Sequence, residues 1–167
     1  MHALTDHGAR PAAGPGTPLL ADTPPPAGPG PVSFVLITPT GGLLTRGVDG
    51  HAVPDEWGAL YQETLWAAVA AAVDPHRRLV NGIALEHGMR AKVADVSPDV
   101  AATMPELYPP NPLAWAMLTI LGAPAGRWHG TVAITGREDE DGLTAPLTDH
   151  QFGLIGHAHR QALRPRR

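Results

Sequence analysis

Between Pro110 and Gln151 the chain reads PNPLAWAMLTILGAPAGRWHGTVAITGREDEDGLTAPLTDHQ, and this stretch constrains the fold more than any other. Asn111 has the short acceptor side chain that satisfies an open backbone N–H at a helix start. Pro112 follows at the first helical position, where its missing N–H costs nothing. Leu113, Trp115, Ala116, Met117, Leu118, Ile120 and Leu121 are apolar on nearly every side of such a helix, which predicts a buried one. Gly122 ends it, and Pro124 prevents its return. From Thr131 to Thr135 the pattern alternates, predicting a half-buried strand with Val132 and Ile134 on its inner face. Glu138 to Gly142 is a charged turn closing on Asp-Gly. Thr148-Asp149-His150-Gln151 has the spacing of a capping box and opens a last helix. The apolar helix is expected to share one interior with Phe34 and Val132.

The preceding chain is read outward from this anchor. Residues 1–31 are rich in Pro, Gly and Ala and poor in apolar side chains, so they are expected to form a disordered tail. Its Pro24-Pro25-Pro26 cluster could dock a partner in extended form, although a leader without a binding role is the expected case. Val32 to Thr38 is β-branched and apolar on both faces, as a central strand is. Pro39-Thr40-Gly41-Gly42 turns the chain, and Leu43 to Val48 returns as a hairpin partner. Asp55 is expected to cap a helix with Trp57, Tyr61, Leu65, Ala68, Val69, Ala72 and Val73 along one stripe, stopped by Asp74-Pro75. Leu79–Leu85 and Met89–Val96 flank Glu86-His87-Gly88 as strand, turn and strand. Ser97-Pro98 caps a short helix through Met104. The last helix is expected from Asp149 to Leu163, with Phe152, Ile155, His159 and Leu163 on one side. The fold class is α+β: a small, mostly antiparallel sheet covered by two or three helices. One domain spans 32–163, and 164–167 is a basic tail.

Several of these segments also carry a likeness. The opening strand and turn VLITPTGGLL, the helix ALYQETLWAAVAAAV, the Asn111-Pro112 helix start, GTVAITG running into the acidic turn EDEDG, and the closing LTAPLTDHQ occur in this order. In this the chain resembles an uncharacterised family of small actinobacterial, plasmid and phage proteins known only as a domain of unknown function. The likeness covers roughly residues 32–155. The chain departs from the family pattern at Gly88-Met89-Arg90-Ala91, where an acidic residue beside a glycine turn is expected, and it has a longer head. The resemblance implies an α+β fold and a mobile-element setting; it supplies no catalytic residues.

Composition limits the chemistry. With no cysteine there is no disulfide scaffold, thiol nucleophile or thiolate metal site. A net charge of −4 gives no general attraction to nucleic acid or anionic lipid. No apolar run approaches a membrane span and no secretory signal is evident, so a cytoplasmic location is expected. Among the 9 histidines, His157 and His159 point in nearly opposite directions on a helix. His150 and His157 share a face but lie about 10.5 Å apart along it, too far for one ion. No metal or cofactor is therefore expected. Asp139, Asp141 and Gly142 echo a calcium loop, but Arg137 and Thr148 occupy positions that need acidic ligands. The hydroxyls of Ser33 and Ser97 lack a nucleophile's glycine frame, and Trp115 and Trp128 read as core and core-edge residues.

The acidic run Glu138, Asp139, Glu140 and Asp141 remains as the candidate partner-binding site. The plainer reading is a solvated turn that keeps a sheet edge from pairing. The expected function is a non-catalytic cytoplasmic accessory or regulatory protein, with the mobile-element setting that the resemblance implies, that acts by contact with an unidentified protein partner. One alternative is a small hydrolase-like enzyme using His87, His129 or His150 with a carboxylate. Another is a weak nucleic-acid-binding module using Arg160, Arg164, Arg166 and Arg167. The sequence assigns no catalytic residue and no oligomeric state.

Overall fold

In the computed structural model, residues 31–164 are described. The expected N-terminal tail with its Pro24–Pro26 cluster, and the end of the basic tail, fall outside the described residues. The chain enters as β1 (Val32–Ile37) and returns antiparallel as β2 (Leu43–Val48), with Val32 opposite Val48 and Ile37 opposite Leu43. Two short strands follow, β3 (Val53–Pro54) and β4 (Leu60–Tyr61), and then α1 (Glu63–Val73). Next come β5 (Val80–Ala84), β6 (Arg90–Ala94), α2 (Pro98–Thr103), α3 (Pro112–Ile120), β7 (Val132–Thr135) and α4 (Asp149–Ala162). The main sheet has five strands in the order β2-β1-β7-β6-β5, with every neighbouring pair antiparallel. β3 and β4 form a separate two-stranded ribbon. The α+β class and the mostly antiparallel sheet are as the sequence predicts.

The interior is divided by the sheet. On one face Val35, Ile37, Ala91, Val93, Val132 and Ile134 pack with Leu113, Met117 and Leu118 of α3 and Ile155 and Ala158 of α4. On the other, Val32, Phe34, Leu36 and Ala133 pack with Leu65, Val69 and Val73 of α1 and Ala101 of α2. The apolar helix therefore shares an interior with Val132 but not with Phe34. Successive side chains of a strand project to opposite faces, and a strand covered by helices on both faces feeds two cores. The same geometry corrects β7. All of its residues are buried, because it is the middle strand and lies under helices on both sides.

Local signals placed most boundaries. Asn111 Oδ1 accepts from Ala114 N at 2.9 Å, as an N-cap should, and Gly122 leaves α3 with φ +88°. Thr148 and Gln151 close the capping box of α4 in both directions. Ser97 caps α2. Leu163, expected on the inner stripe of α4, lies exposed just past its end; Gln151, Ile155 and Ala158 are the buried positions.

The start of α1 is where the sequence reading fails. Asp55 caps no helix. Its Oδ1 accepts from Trp57 N at 2.8 Å and Ala59 N at 2.9 Å, and Gly58 takes φ +82°, so the segment turns back on itself and joins β3 to β4. An aspartate side chain that satisfies nearby backbone N–H groups stabilises a turn in competition with a helix. The helix begins at Glu63, and Leu65, Val69 and Val73 form its buried stripe. Trp57 and Tyr61 belong to the ribbon.

Candidate functional site

The acidic run lies in a tight loop between β7 and α4. Gly136 starts it where the two arms are so close that a Cβ would sit 2.2 Å from the Ala145 carbonyl oxygen, so only glycine fits. Ala145 N donates to Arg137 O, Glu138 bridges to Thr144, and Asp139 N donates to Leu143 O. Asp139 is occupied by the turn, since its Oδ1 accepts from Asp141 N and Leu143 N. Glu138 faces β6, where its carboxylate takes Arg90 Nε at 3.0 Å and the ammonium of Lys92. Lys92, the only lysine of the sequence, is itself buried, with Nζ 4.4 Å from the centre of the Trp66 ring. Of the four acidic residues, Glu140 and Asp141 are left as an exposed, solvent-facing pair.

A buried glutamine joins this loop to the β3–β4 ribbon. Gln62 Nε2 donates to Gly50 O at 3.0 Å and Thr144 O at 3.1 Å, while its Oε1 accepts from Thr144 N at 2.7 Å. Both arms of the amide are thus used to fasten the base of the ribbon to the acidic loop. Sequence reasoning missed Gln62 because it fell inside the expected helix, and its partner Thr144 is 82 residues away.

The ribbon carries its large apolar side chains in water. Trp57 is 85% exposed, Leu60 47%, Tyr61 46% and Val53 39%. Its tip is nonetheless well fixed. Besides the Asp55 side-chain bonds, Asp55 N donates to Ala59 O and Gly58 N to Asp55 O. Asp49, Asp55, Glu56 and Glu63 flank the aromatic residues, and no lysine or arginine occurs from Gly47 to His76. The ribbon and the Glu140–Asp141 tip thus place aromatic and acidic groups on elements fastened to one another.

Of the three histidines named by the enzyme alternative, His87 and His150 meet and His129 stands apart. His87 sits in the β5–β6 turn with φ 56°, its carbonyl accepting from Gln151 Nε2, and its ring meets His150 edge-on at 5.5 Å between centroids. Glu86 N in this turn donates to Leu121 O at the end of α3. His129 is at the other end of α3, against Trp115 with centroids 6.4 Å apart. It borders a cleft of about 130 Å³ with Asn81, Asp95 and Arg127, and Asp95 there accepts from Asn81. Among the described residues, no three His, Asp or Glu side chains stand at metal-binding spacing. Arg160 and Arg164 are exposed at the end of α4, while Arg166 and Arg167 lie outside the described residues.

One buried polar pair lies apart from these groups. Tyr108 Oη donates to Asp74 Oδ1 at 3.2 Å, and Asp74 also accepts from Arg77 N and Leu79 N, closing the loop after α1. Burial raises the Tyr108 phenol above its ordinary 10.0, and the Asp74 charge and hydrogen bond add to this.

The fold and this geometry define a small α+β domain with a protruding aromatic ribbon. No family model matches the chain, and no curated protein or solved structure matches it either. Among the described residues, no helix is long and apolar enough to cross a membrane.

Proposed function

We propose that this protein is a non-catalytic cytoplasmic accessory or regulatory protein acting by protein–protein contact, with the β3–β4 ribbon as its docking element and the Glu140–Asp141 tip beside it. The observation that carries this reading is the exposure of Trp57, Leu60 and Tyr61 on a turn fixed by Asp55. Single exposed apolar residues need no explanation, but several on one short ribbon, led by an almost free tryptophan, do. Tryptophan and tyrosine are the residue types that most often dominate binding energy at interfaces. A rigid turn reduces the ordering entropy lost when they are buried. The resemblance to a family of actinobacterial, plasmid and phage proteins implies that the protein itself belongs to a mobile element.

The test compares wild-type protein with a Trp57→Ala/Tyr61→Ala double variant as baits in lysate of the source cells at low salt. The wild type is expected to retain a specific protein that the double variant loses, with both baits giving the same far-ultraviolet circular dichroism. Equal retention by both, or turnover of a small substrate by the wild type, overturns the reading.

A further inference from the structure

One surface groove is complementary in chemistry to the ribbon. Between α3 and the end of α4 runs an open groove of about 640 Å³, with Trp115, Ala116, Ile120, Ala125 and Ala162 among its walls and Arg164 at its rim. Ile120, which lines it, and Leu163, beside its lining residues Ala162 and Arg164, are exposed. The groove is mainly apolar, with Thr119 and Gln161 as its neutral polar groups and Arg164 as its one charged lining residue. The ribbon is apolar with an acidic border. We infer that the ribbon of one molecule docks in the α3–α4 groove of a second copy of this chain, with Trp57 in the groove and the Asp55–Glu56 flank facing Arg164.

The two surfaces cannot meet within one molecule. Gly50, to which the ribbon base is fastened by Gln62, follows Val48, and Val48 pairs with Val32 at the start of β1. The groove begins at Pro112, beside Asn111, whose Nδ2 donates to Ile37 O at the opposite end of β1. Those ends are separated by about 17 Å along the strand. The ribbon also leads into α1 on one face of the sheet, whereas α3 and α4 cover the other. Where the two patches of one copy can both engage the same neighbour, the contact closes as a reciprocal pair; otherwise it runs head to tail into a chain or a ring. Like-charged patches would repel, and here the signs are opposed, which favours this occupant and makes association weaken with salt.

This inference rests on the ribbon being a docking element, and the experiment separates the two ideas. Sedimentation velocity of the full chain over a concentration series at low salt should show concentration-dependent self-association. Trp57→Ala, which removes the anchor, and Ala116→Trp, which fills the groove, should each weaken self-association by at least about thirty-fold. Mixing these two variants should then restore a 1:1 complex that grows no further, because one intact ribbon meets one intact groove. Should Ala116→Trp fail to fold, Arg164→Glu tests the groove instead. It should weaken association, and mixing it with Glu56→Arg should restore it. A wild type that stays monomeric at every concentration, single variants that assemble normally, or a mixture that stays monomeric overturns the inference. If the wild type is monomeric while Trp57→Ala still loses a partner from lysate, self-docking fails and the ribbon's docking role stands.

Discussion

Tyr108 and Asp74 are buried together, and the phenol donates its proton to the carboxylate. Because burial and Asp74 disfavour the phenolate, the folded state holds this proton more tightly than the unfolded chain does. The group's stabilising contribution is therefore complete below the unfolded value of 10.0 and is lost as pH rises through the higher folded value. Urea denaturation of the wild type from pH 8 upward should show stability falling above about pH 10, and Tyr108→Phe should lose stability less steeply over the same window. Equal slopes would mean that the hydroxyl is not held as described. The pair was not legible, because Asp74 looks locally like a helix stop beside Pro75, and Tyr108 looks like part of a proline-rich loop. Glu138 gives the same lesson within the candidate site. It is indistinguishable from its acidic neighbours in sequence, yet it pairs with Lys92, 46 residues away, while Glu140 remains in water. Which carboxylate of a run faces inward depends on the strand that passes beside it.

At the level of elements, caps were readable and their distant ties were not. Asn111 was evident as the start of α3 because an acceptor followed by proline is a local signal. Its other contacts, Nδ2 to Ile37 O at 3.0 Å and to Gly130 O at 2.9 Å, join the helix to the end of β1 and the start of β7. Asn111→Ala should therefore cost more than a cap. Adding about 1 kcal/mol for the cap to the penalty of leaving two buried carbonyls unpaired gives about 3 kcal/mol, read as a lower denaturant midpoint at unchanged slope. Asn111→Asp keeps the cap acceptor but points a carboxylate at two carbonyl oxygens, so it should not rescue. Wild-type stability in Asn111→Asp would show that the cap alone matters. The ribbon was lost for a related reason. Trp57, Tyr61 and Leu65 are spaced by four and read as a helical stripe, and the same spacing is compatible with a turn followed by a later helix start. Asp55 and Gly58 were the signals that decide between them, through a side chain able to take two backbone N–H groups and a residue free to adopt positive φ.

For the molecule as a whole, the apolar content of both faces of β1 indicated a covered strand, but the chain path decides which helix covers which face. Phe34 points to α1 and Val35 to α3 and α4, so the sheet separates two interiors that the sequence reading merged into one. This division has a thermodynamic consequence. Residues that share a packed cluster relax into each other's cavities, whereas residues on opposite sides of a sheet have no common neighbours through which to couple. Phe34→Leu and Val69→Ala alter the α1 layer, and Ile155→Val alters the layer of α4; each is mild enough to leave the domain folded. In a double-mutant cycle the Phe34/Val69 pair should deviate from additivity by more than about 0.5 kcal/mol, and the Phe34/Ile155 pair should add within about that amount. Coupling across the sheet as large as coupling within a layer would mean that the two cores respond as one, and that strain at the α1 side, where the ribbon is attached, reaches the α3–α4 groove. Additivity would instead leave ribbon and groove energetically independent, so that occupation of one by a neighbouring molecule does not change the affinity of the other, and assembly that runs head to tail would proceed with equal affinity at each step.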